Sequence, residues 1–323
     1  MALQETLENQ CTGPCRCLWA AWDSNVRKDR IDALGAVALI TFSFLMGINQ
    51  VMVKLVNAGF SPVFQAGARS ACALLPVLAF ALLTRKKLSV TDGTFLPGML
   101  CGCFFAFEFL LLFEGIEYTA VSRASVIFYT MPVWVAIAAH FLFPGEHLTV
   151  RRIIGLLLAV LGVAIALLDE PPSFAPDALR GDLYCLAGAL CWTGIAITAR
   201  LSKLRDAEPE MIMIYQLAVS GPILLFLSPA FGPVLREVTE TILWIFAFQV
   251  LAVVSFGMPL WFMVLRVYPA SDMTAFSFLA PLFGVAASWI VLDEPFSWSI
   301  VIALILVGGG IALVSWKPKQ ASS

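Results

Sequence analysis

The chain has 323 residues, of which 60% are hydrophobic and 13% charged, and its formal net charge is −2. Soluble domains carry about 25% charged residues, so this composition excludes an ordinary soluble protein. The slight acidic excess argues against a nucleic-acid partner, which requires a basic surface. We therefore predict an integral membrane protein in contact with the lipid bilayer.

Ten runs of about 20 mainly apolar residues follow an N-terminal tail, and each is about long enough to cross a bilayer as a helix. The predicted spans are 33–54, 62–83, 97–116, 119–142, 151–168, 181–201, 211–229, 242–265, 270–291 and 298–316. Helices are expected because a spanning segment must satisfy its own backbone hydrogen bonds. The predicted fold class is an all-α membrane protein with ten transmembrane helices.

The distribution of Lys and Arg predicts the orientation of these helices. Fifteen of the 20 basic residues flank the spans on the side of the N-terminus, and Arg69 lies within a span. The opposite side holds Lys54, Arg123, Arg180 and Arg236. Because basic residues concentrate on the cytoplasmic side, both termini are predicted to be cytoplasmic, in the inner (plasma) membrane of a bacterium. The predicted cytoplasmic tails are residues 1–32 and 317–323.

One stretch of the sequence occurs twice. Tyr118 and Tyr268 each begin a segment with Ala two residues later, a proline in mid-segment (Pro132 and Pro281), an acid after the apolar run and a Gly-rich closing helix. A repeat of this kind determines the architecture before any single residue does.

The repeat predicts two five-helix units, at residues 33–168 and 181–316. Five is an odd number, so the second unit enters the membrane from the opposite face and the two units are inverted. Inverted repeats around a site at the midplane are typical of secondary transporters, because two equivalent packings can open to opposite sides.

The first half contains EGIEYTAVSRASVIFYTMPVW followed by GEHLTVRRIIGLLLAVLGV, and the second contains LWFMVLRVYPASDMTAFSFLAPLFGV followed by DEPFS. These motifs resemble the EamA family of the drug/metabolite transporter superfamily, and the similarity covers about residues 33–316. The resemblance implies export of amino acids and related metabolites, or uptake of vitamins and other small organic compounds. It also implies that the fifth and tenth helices lie at the periphery.

Glu108 lies near the middle of the third span, within CFFAFEFLLLF. A charged carboxylate at mid-bilayer costs about 3 kcal/mol on insertion scales, so such residues normally face the protein interior. We predict that Glu108 is a protonatable or substrate-contacting group, and a candidate proton carrier because burial disfavours the charged form. A structural ion pair or a neutral, hydrogen-bonded acid is the alternative interpretation.

Arg69 lies about 10 Å from the outer end of the second span, given a rise of 1.5 Å per residue. This depth is similar to that of Glu108, so we predict that the two side chains form an ion pair. Arg69 could instead hold a substrate carboxylate through two hydrogen bonds, and both interpretations stay open.

Amide and aromatic side chains in the other spans suggest a central chamber for a small zwitterionic or heterocyclic solute. The candidates are Asn49, Tyr129, Trp192, Gln216, Gln249 and Trp261. Gln50 adjoins Asn49, so we expect at most one of the two to face the chamber. Membrane-embedded aromatic residues also serve as packing groups or interfacial anchors.

Pro132, Pro259 and Pro281 are expected to kink their helices, because proline removes a backbone donor and clashes with the preceding turn. They would act either as hinges or as fixed bends. Arg123 and Asp272 lie nine residues before the prolines of the repeat. They are candidate charges at the edges of gates, with solvation of the helix ends as the alternative.

Four further acids lie at the ends of spans. Glu146 and Glu294 are predicted to cap the helices that follow them. Glu114 and Glu117 are predicted to be solvated.

The predicted function is a secondary active transporter that exports amino acids or related small metabolites by alternating access, driven by a proton gradient or by exchange. Import of a vitamin or another small heterocyclic metabolite is the alternative, and a channel or membrane receptor is the alternative from another class. Because Walker, HExxH and G-x-S-x-G motifs are absent from the sequence, we predict no enzymatic activity, cofactor or metal. The sequence does not decide the oligomeric state.

Overall fold

The computed structural model describes residues 31–84, 88–143, 149–168, 177–268, 276 and 279–315. This part of the chain contains twelve α-helices and no strand, apart from one isolated bridge between Phe60 and Leu235. The helices are α1 (Ala33–Val56), α2 (Pro62–Leu83), α3 (Phe95–Tyr118), α4 (Val121–Phe128), α5 (Met131–Leu142), α6 (Val150–Leu168), α7 (Ala178–Leu201), α8 (Pro209–Leu227), α9 (Glu240–Phe248), α10 (Met258–Val267), α11 (Leu279–Val291) and α12 (Trp298–Ser315). A π-helix, Gln249–Gly257, joins α9 to α10. The predicted tails, except Ile31 and Asp32, lie outside the described residues.

The all-helical membrane fold is confirmed. Eight helical segments are long and apolar enough to cross a bilayer, with α4 and α5 together forming one of them. Two shorter apolar helices, Leu279–Val291 and Trp298–Val314, lie within the predicted ninth and tenth spans. The count of ten spans and the cytoplasmic placement of both termini stay predictions.

Contacts between helix ends define one common end of the molecule. Lys54, near the end of α1, donates to the backbone oxygen of Ile116 near the end of α3 (2.5 Å). Glu294, just after α11, accepts from the backbone N–H groups of Val121 and Ser122 at the start of α4 (2.5 and 3.0 Å). We call this the polar end. It is the face that the basic-residue distribution predicts to lie outside the cell.

The two halves pack against each other in matching pairs. Helix α2 packs on α8, and α6 packs on α12, so corresponding helices meet. Helix α1 of the first half packs on α11, while α7 of the second half packs on α4 and α5. This exchange of partners is what a repeat with two-fold symmetry produces. It places the inner faces of both halves around one central space.

The glycines of α6 and α12 let these two helices approach to backbone contact. A Cβ atom on Gly155 would lie 2.6 Å from the backbone oxygen of Gly310, and the reciprocal distance is 2.5 Å. Small residues permit such close approach between membrane helices. Leu157 and Ile305, on other faces of the pair, are exposed apolar side chains, as expected for contact with lipid.

The prolines differ in their relation to the helix breaks. Pro132 lies in the first turn of α5, directly after the break that separates α4 from α5. Pro259 lies in the first turn of α10, directly after the π-helix. Pro281 is buried in α11, near the first described residue of that helix. Whether any of these positions moves as a hinge stays a prediction.

Candidate functional site

A cavity of about 310 Å³ lies between the two halves, lined by residues from both. Binding sites for small molecules span roughly 300–1,000 Å³, so this volume suits a small metabolite. Most of its wall consists of aromatic, methionine and aliphatic side chains. Among the described residues that line it, Glu108 is the one acid and Arg69 the one base.

The structure brings most of the predicted site residues together at this cavity. Those that line it are Glu108, Arg69, Asn49, Tyr129, Trp192, Trp261 and Pro132. Gln216 and Gln249 are placed elsewhere, in contrast to our expectation. Helix α8 contributes Met213 and Leu217, which share one face at a spacing of four residues. The π-helix presents Val253 and Val254 to the cavity, and Gln249 is fully buried.

Asn49 and Gln50 both line the cavity, although we expected at most one of them to do so. Consecutive helical residues point about 100° apart, so a cavity that extends around more than one side of α1 reaches both. Gln50 accepts a hydrogen bond from the Ser125 hydroxyl (2.5 Å). The amide oxygen of Asn49 accepts from Arg69 (3.2 Å). The two amides are therefore already engaged with neighbouring helices.

Arg69 does not form the predicted ion pair: it and Glu108 are both described residues, and no salt bridge joins them. The Arg69 guanidinium instead lies 4.4 Å from the ring centre of Phe109 and 4.8 Å from that of Phe113. It also donates to Asn49. Cation–π contacts stabilise a desolvated guanidinium, so the rings and the amide support this charge without a carboxylate.

Glu108 has no such support. Its side chain is only 3% exposed, and its Oε2 atom is buried without a hydrogen bond to any residue that the structure describes. Helix α7 lies beside it, at a distance where a Cβ atom on Gly188 would be in ordinary van der Waals contact with the backbone oxygen of Glu108 (3.4 Å). Buried polar atoms without partners are rare in native proteins, so this carboxyl group requires an explanation.

Among the lining residues that were not predicted from the sequence, three are Ser70, Phe42 and Met258. Ser70 lies beside Arg69, and its hydroxyl is buried without a hydrogen bond to a described residue. Phe42 stacks on Trp261 with ring centres 4.8 Å apart. Met258 occupies the position in the second repeat that Glu108 occupies in the first, if Tyr118 and Tyr268 are aligned. The repeat alignment was the available signal for Met258, whereas Phe42 and Ser70 lie in apolar runs without a distinguishing pattern.

Arg123 is a buried ion-pair partner, which corrects the interpretation that it is solvated at a helix end, while its role at the edge of a gate stays a prediction. It donates to both carboxylate oxygens of Asp182 across α4 and α7, and the two side chains are 4% and 0% exposed. Thr119 also donates to Asp182 (2.7 Å), and Arg123 donates to the backbone oxygen of Leu167 (3.4 Å). The charge is therefore held between helices instead of being solvated at a helix end. Asp272 lies outside the described residues.

Glu117 and Glu114 also differ from the prediction that both are solvated. Glu117 pairs with Arg236 (2.7 Å) and accepts from the Asn57 amide (2.9 Å). Lys54 donates to the backbone oxygen of Glu117 as well (2.8 Å). Glu114 is 4% exposed, one helical turn before Glu117. The Glu117 side chain is still 26% exposed, so the prediction of solvation is wrong for Glu114 and only partly wrong for Glu117.

Glu294 caps α4 and not the helix that follows it in sequence, because the end of α11 lies beside the start of α4. Its predicted counterpart Glu146 lies outside the described residues. Six charged residues form what we call the polar network: Lys54, Glu117, Arg123, Asp182, Arg236 and Glu294. The network joins the ends of helices from both halves at the polar end of the molecule.

Comparison with known proteins agrees with this architecture. Residues 33–168 and 179–316 each match the model of the EamA-like transporter family. The chain is 25% identical over 279 residues to the uncharacterized transporter YoaV of Bacillus subtilis (strain 168), covering 85% of this chain and 94% of that protein. It is 24% identical over 295 residues to a probable amino-acid metabolite efflux pump of Escherichia coli (strain K12), covering 88% and 94%.

A solved crystal structure shares the fold with a TM-score of 0.61 at 18% identity, covering 87% of this chain and 95% of that one. Similarity at this level of identity concerns the fold alone. The family match covers nearly all of the membrane-spanning part of the chain, in two consecutive copies. This protein therefore belongs to the EamA-like transporter family and is a multi-pass integral protein of the inner membrane.

Proposed function

We propose that this transporter is a secondary active carrier that exports amino acids or related small metabolites by alternating access. The observation that carries the proposal is the cavity of about 310 Å³ between two family-matched halves, with one acid and one base in an otherwise largely apolar wall. A relative named as a probable amino-acid metabolite efflux pump supports the direction and the substrate class.

The polar network supports a mechanism in which the two ends of the cavity open in turn. Its ion pairs and caps hold together helix ends that an exit path at the polar end would have to separate. Glu294 holds the start of α4, and the break before Pro132 separates that short helix from α5. In this mechanism α4 moves with the polar end while α5 stays packed on α7.

The opposite end has its own contact between the halves. The Tyr268 hydroxyl donates to the carboxylate of Asp32 (2.5 Å), which also caps α1 by accepting from the N–H of Gly35 (2.9 Å). Opening towards that end would separate α10 from α1. Two sets of contacts, one at each end, provide the alternative closures that alternating access requires.

Glu108 is the proposed proton carrier if the driving force is a proton gradient. Proteoliposomes that contain the wild type or Glu108→Gln would be compared for solute uptake with and without an imposed pH gradient. Loss of the response to the gradient in Glu108→Gln, measured at a solute concentration high enough to offset weaker binding by the variant, supports coupling through this carboxyl group. An unchanged response to the gradient removes Glu108 as the carrier.

The substrate and the direction are tested by measuring metabolites inside and outside cells that express the wild type, Glu108→Gln or Glu114→Gln at matched membrane abundance. Glu114 is a second buried acid of α3 that does not line the cavity, so its variant is the control. A compound enriched outside only with the wild type and the control identifies an exporter and its substrate. Depletion of a compound from the medium in the same two strains would instead show import.

A further inference from the structure

The two opposite charges at the cavity differ in how well the protein itself stabilises them. Arg69 has an amide oxygen at 3.2 Å and two aromatic rings at 4.4 and 4.8 Å. Glu108, on the same cavity wall, has no hydrogen bond or ion pair with any described residue, and its Oε2 atom is buried. Among the described residues, the cavity cation has direct contact partners, whereas the cavity acid has only the longer-range attraction of Arg69.

Neither Arg69 nor Lys54 forms an ion pair with Glu108. Arg69 of α2 lies against Phe109 and Phe113 through its ring contacts. Lys54 of α1 donates to backbone oxygens at the end of α3. Because Glu108 lines a cavity large enough for a metabolite, a cationic ligand could supply a direct partner when this carboxyl group is ionised.

The wall around Glu108 suits a positively charged group attached to an apolar body. Phe105 and Phe109 flank Glu108 on α3, with ring centres 4.0 Å apart, and both line the cavity. Trp192 and the stacked pair of Phe42 and Trp261 form other parts of the wall. Aromatic faces attract cations and pack against apolar groups, whereas they offer nothing to an anion.

We propose that Glu108 is the subsite for a protonated amine of the substrate, and that the aromatic wall holds an apolar or aromatic body. The substrate class is then a small amine with an apolar body, in which the amine is required and a carboxylate is not. An ammonium group would form a charge-assisted hydrogen bond with Glu108, the partner that the acid lacks. This inference rests on the proposed transport through the same cavity, and it assigns the chemistry that selects the substrate.

The experiment measures binding to the purified full-length protein in lipid nanodiscs by isothermal titration calorimetry. Three probes share one ring and differ in the polar group: 2-phenylethylamine is a cation at pH 7, 2-phenylethanol is neutral and 3-phenylpropionate is an anion. We expect 2-phenylethylamine to bind at least about tenfold more tightly than either of the others, because only the amine supplies a charge-assisted partner to Glu108.

Three variants separate the effect of charge from the effect of folding. Glu108→Gln should weaken binding of 2-phenylethylamine about tenfold or more, since it removes one charge of a desolvated pair. Glu108→Asp keeps the charge on a shorter side chain and should restore part of the affinity. Glu114→Gln should bind like the wild type. The thermal unfolding midpoint of each variant shows whether it remains folded.

Equal binding of the amine by the wild type and by folded Glu108→Gln would overturn the proposal, and so would 3-phenylpropionate binding as tightly as the amine. Failure of all three probes to bind the wild type would also overturn it.

Transport is measured separately, as movement of 2-phenylethylamine across proteoliposome membranes. If 2-phenylethylamine binds in a Glu108-dependent way but is not carried across the membrane, the subsite stands and the transport function is refuted. If 2-phenylethylamine is carried equally well by the wild type and by Glu108→Gln, the transport function stands and the subsite is refuted.

Discussion

The buried ion pair between Arg123 and Asp182 gives the sharpest test of what holds the polar end together. The variant Arg123→Met removes a charge that donates to both oxygens of Asp182, at a place where the two side chains are 4% and 0% exposed. Among the described residues, Asp182 would keep the Thr119 hydroxyl as its side-chain donor (2.7 Å). Breaking a buried pair from one side costs about 3–5 kcal/mol, because the remaining charge is left without compensation.

The assay is equilibrium unfolding of the purified protein in mixed detergent micelles, with the free energy of unfolding compared between variants. Arg123→Met and Asp182→Leu should each be less stable by about 3–5 kcal/mol, whereas the double variant should recover most of that loss, because an apolar pair leaves no buried charge. Arg205→Met is the control. Its pair with Asp206 is 69% and 73% exposed and should contribute at most about 1 kcal/mol. The reasoning is refuted if the double variant is less stable than either single one.

Two further predictions concern local packing. Glu294→Ala should lower the free energy of unfolding by about 0.5–2 kcal/mol, because it removes the cap of α4, while Glu237→Ala at an exposed acid should have little effect. Unfolding measurements that do not distinguish the two variants would contradict the cap. Gly155→Ala should destabilise the α6–α12 contact by about 1–3 kcal/mol, since its Cβ would lie 2.6 Å from the backbone of Gly310. Gly309→Ala, with no atom within 4 Å of the added Cβ, is the matched control, and an equal loss in both would argue against the backbone contact.

The helical fold could be predicted because each span has to be long and apolar, and these properties are local. The repeat around Tyr118 and Tyr268 added the division into two five-helix units, which stays a prediction; the two family matches cover residues 33–168 and 179–316. The π-helix before Pro259 was not predicted. It lies within a continuous apolar run, and a wider helical turn there changes neither the length nor the hydropathy of the segment.

The positions of the two cavity charges could be predicted from their depth within the membrane spans, but the residues that contact them could not. Glu108 and Arg69 both reach the cavity, as predicted from their positions within apolar spans. Equal depth does not imply contact, however, because Phe109 and Phe113 occupy the faces of the guanidinium. The rotational position of each helix decides such contacts, and it is determined by packing between distant segments.

Arg123 shows the same limit at the polar end. Its position near a helix start suggested solvent exposure, whereas its partner Asp182 lies 59 residues away in sequence. The position equivalent to Asp182 in the first repeat is Ala36, so the repeat gave no signal for the pair either. Burial of a terminal charge depends on the neighbouring helices that cover it.

The placement of the two cavity charges has a consequence for kinetics. Both Glu108 and Arg69 belong to the first copy of the repeat, and the second copy has Met258 and Gln216 at the equivalent positions. A carrier with identical halves would have inward and outward openings of equal energy and no preferred resting side. Under the proposed alternating access, the exchange of openings would move one half that contributes both cavity charges and one half that contributes none of the described cavity charges. The empty carrier would then have an intrinsic resting side, and its forward and return steps would have different rates even without a gradient.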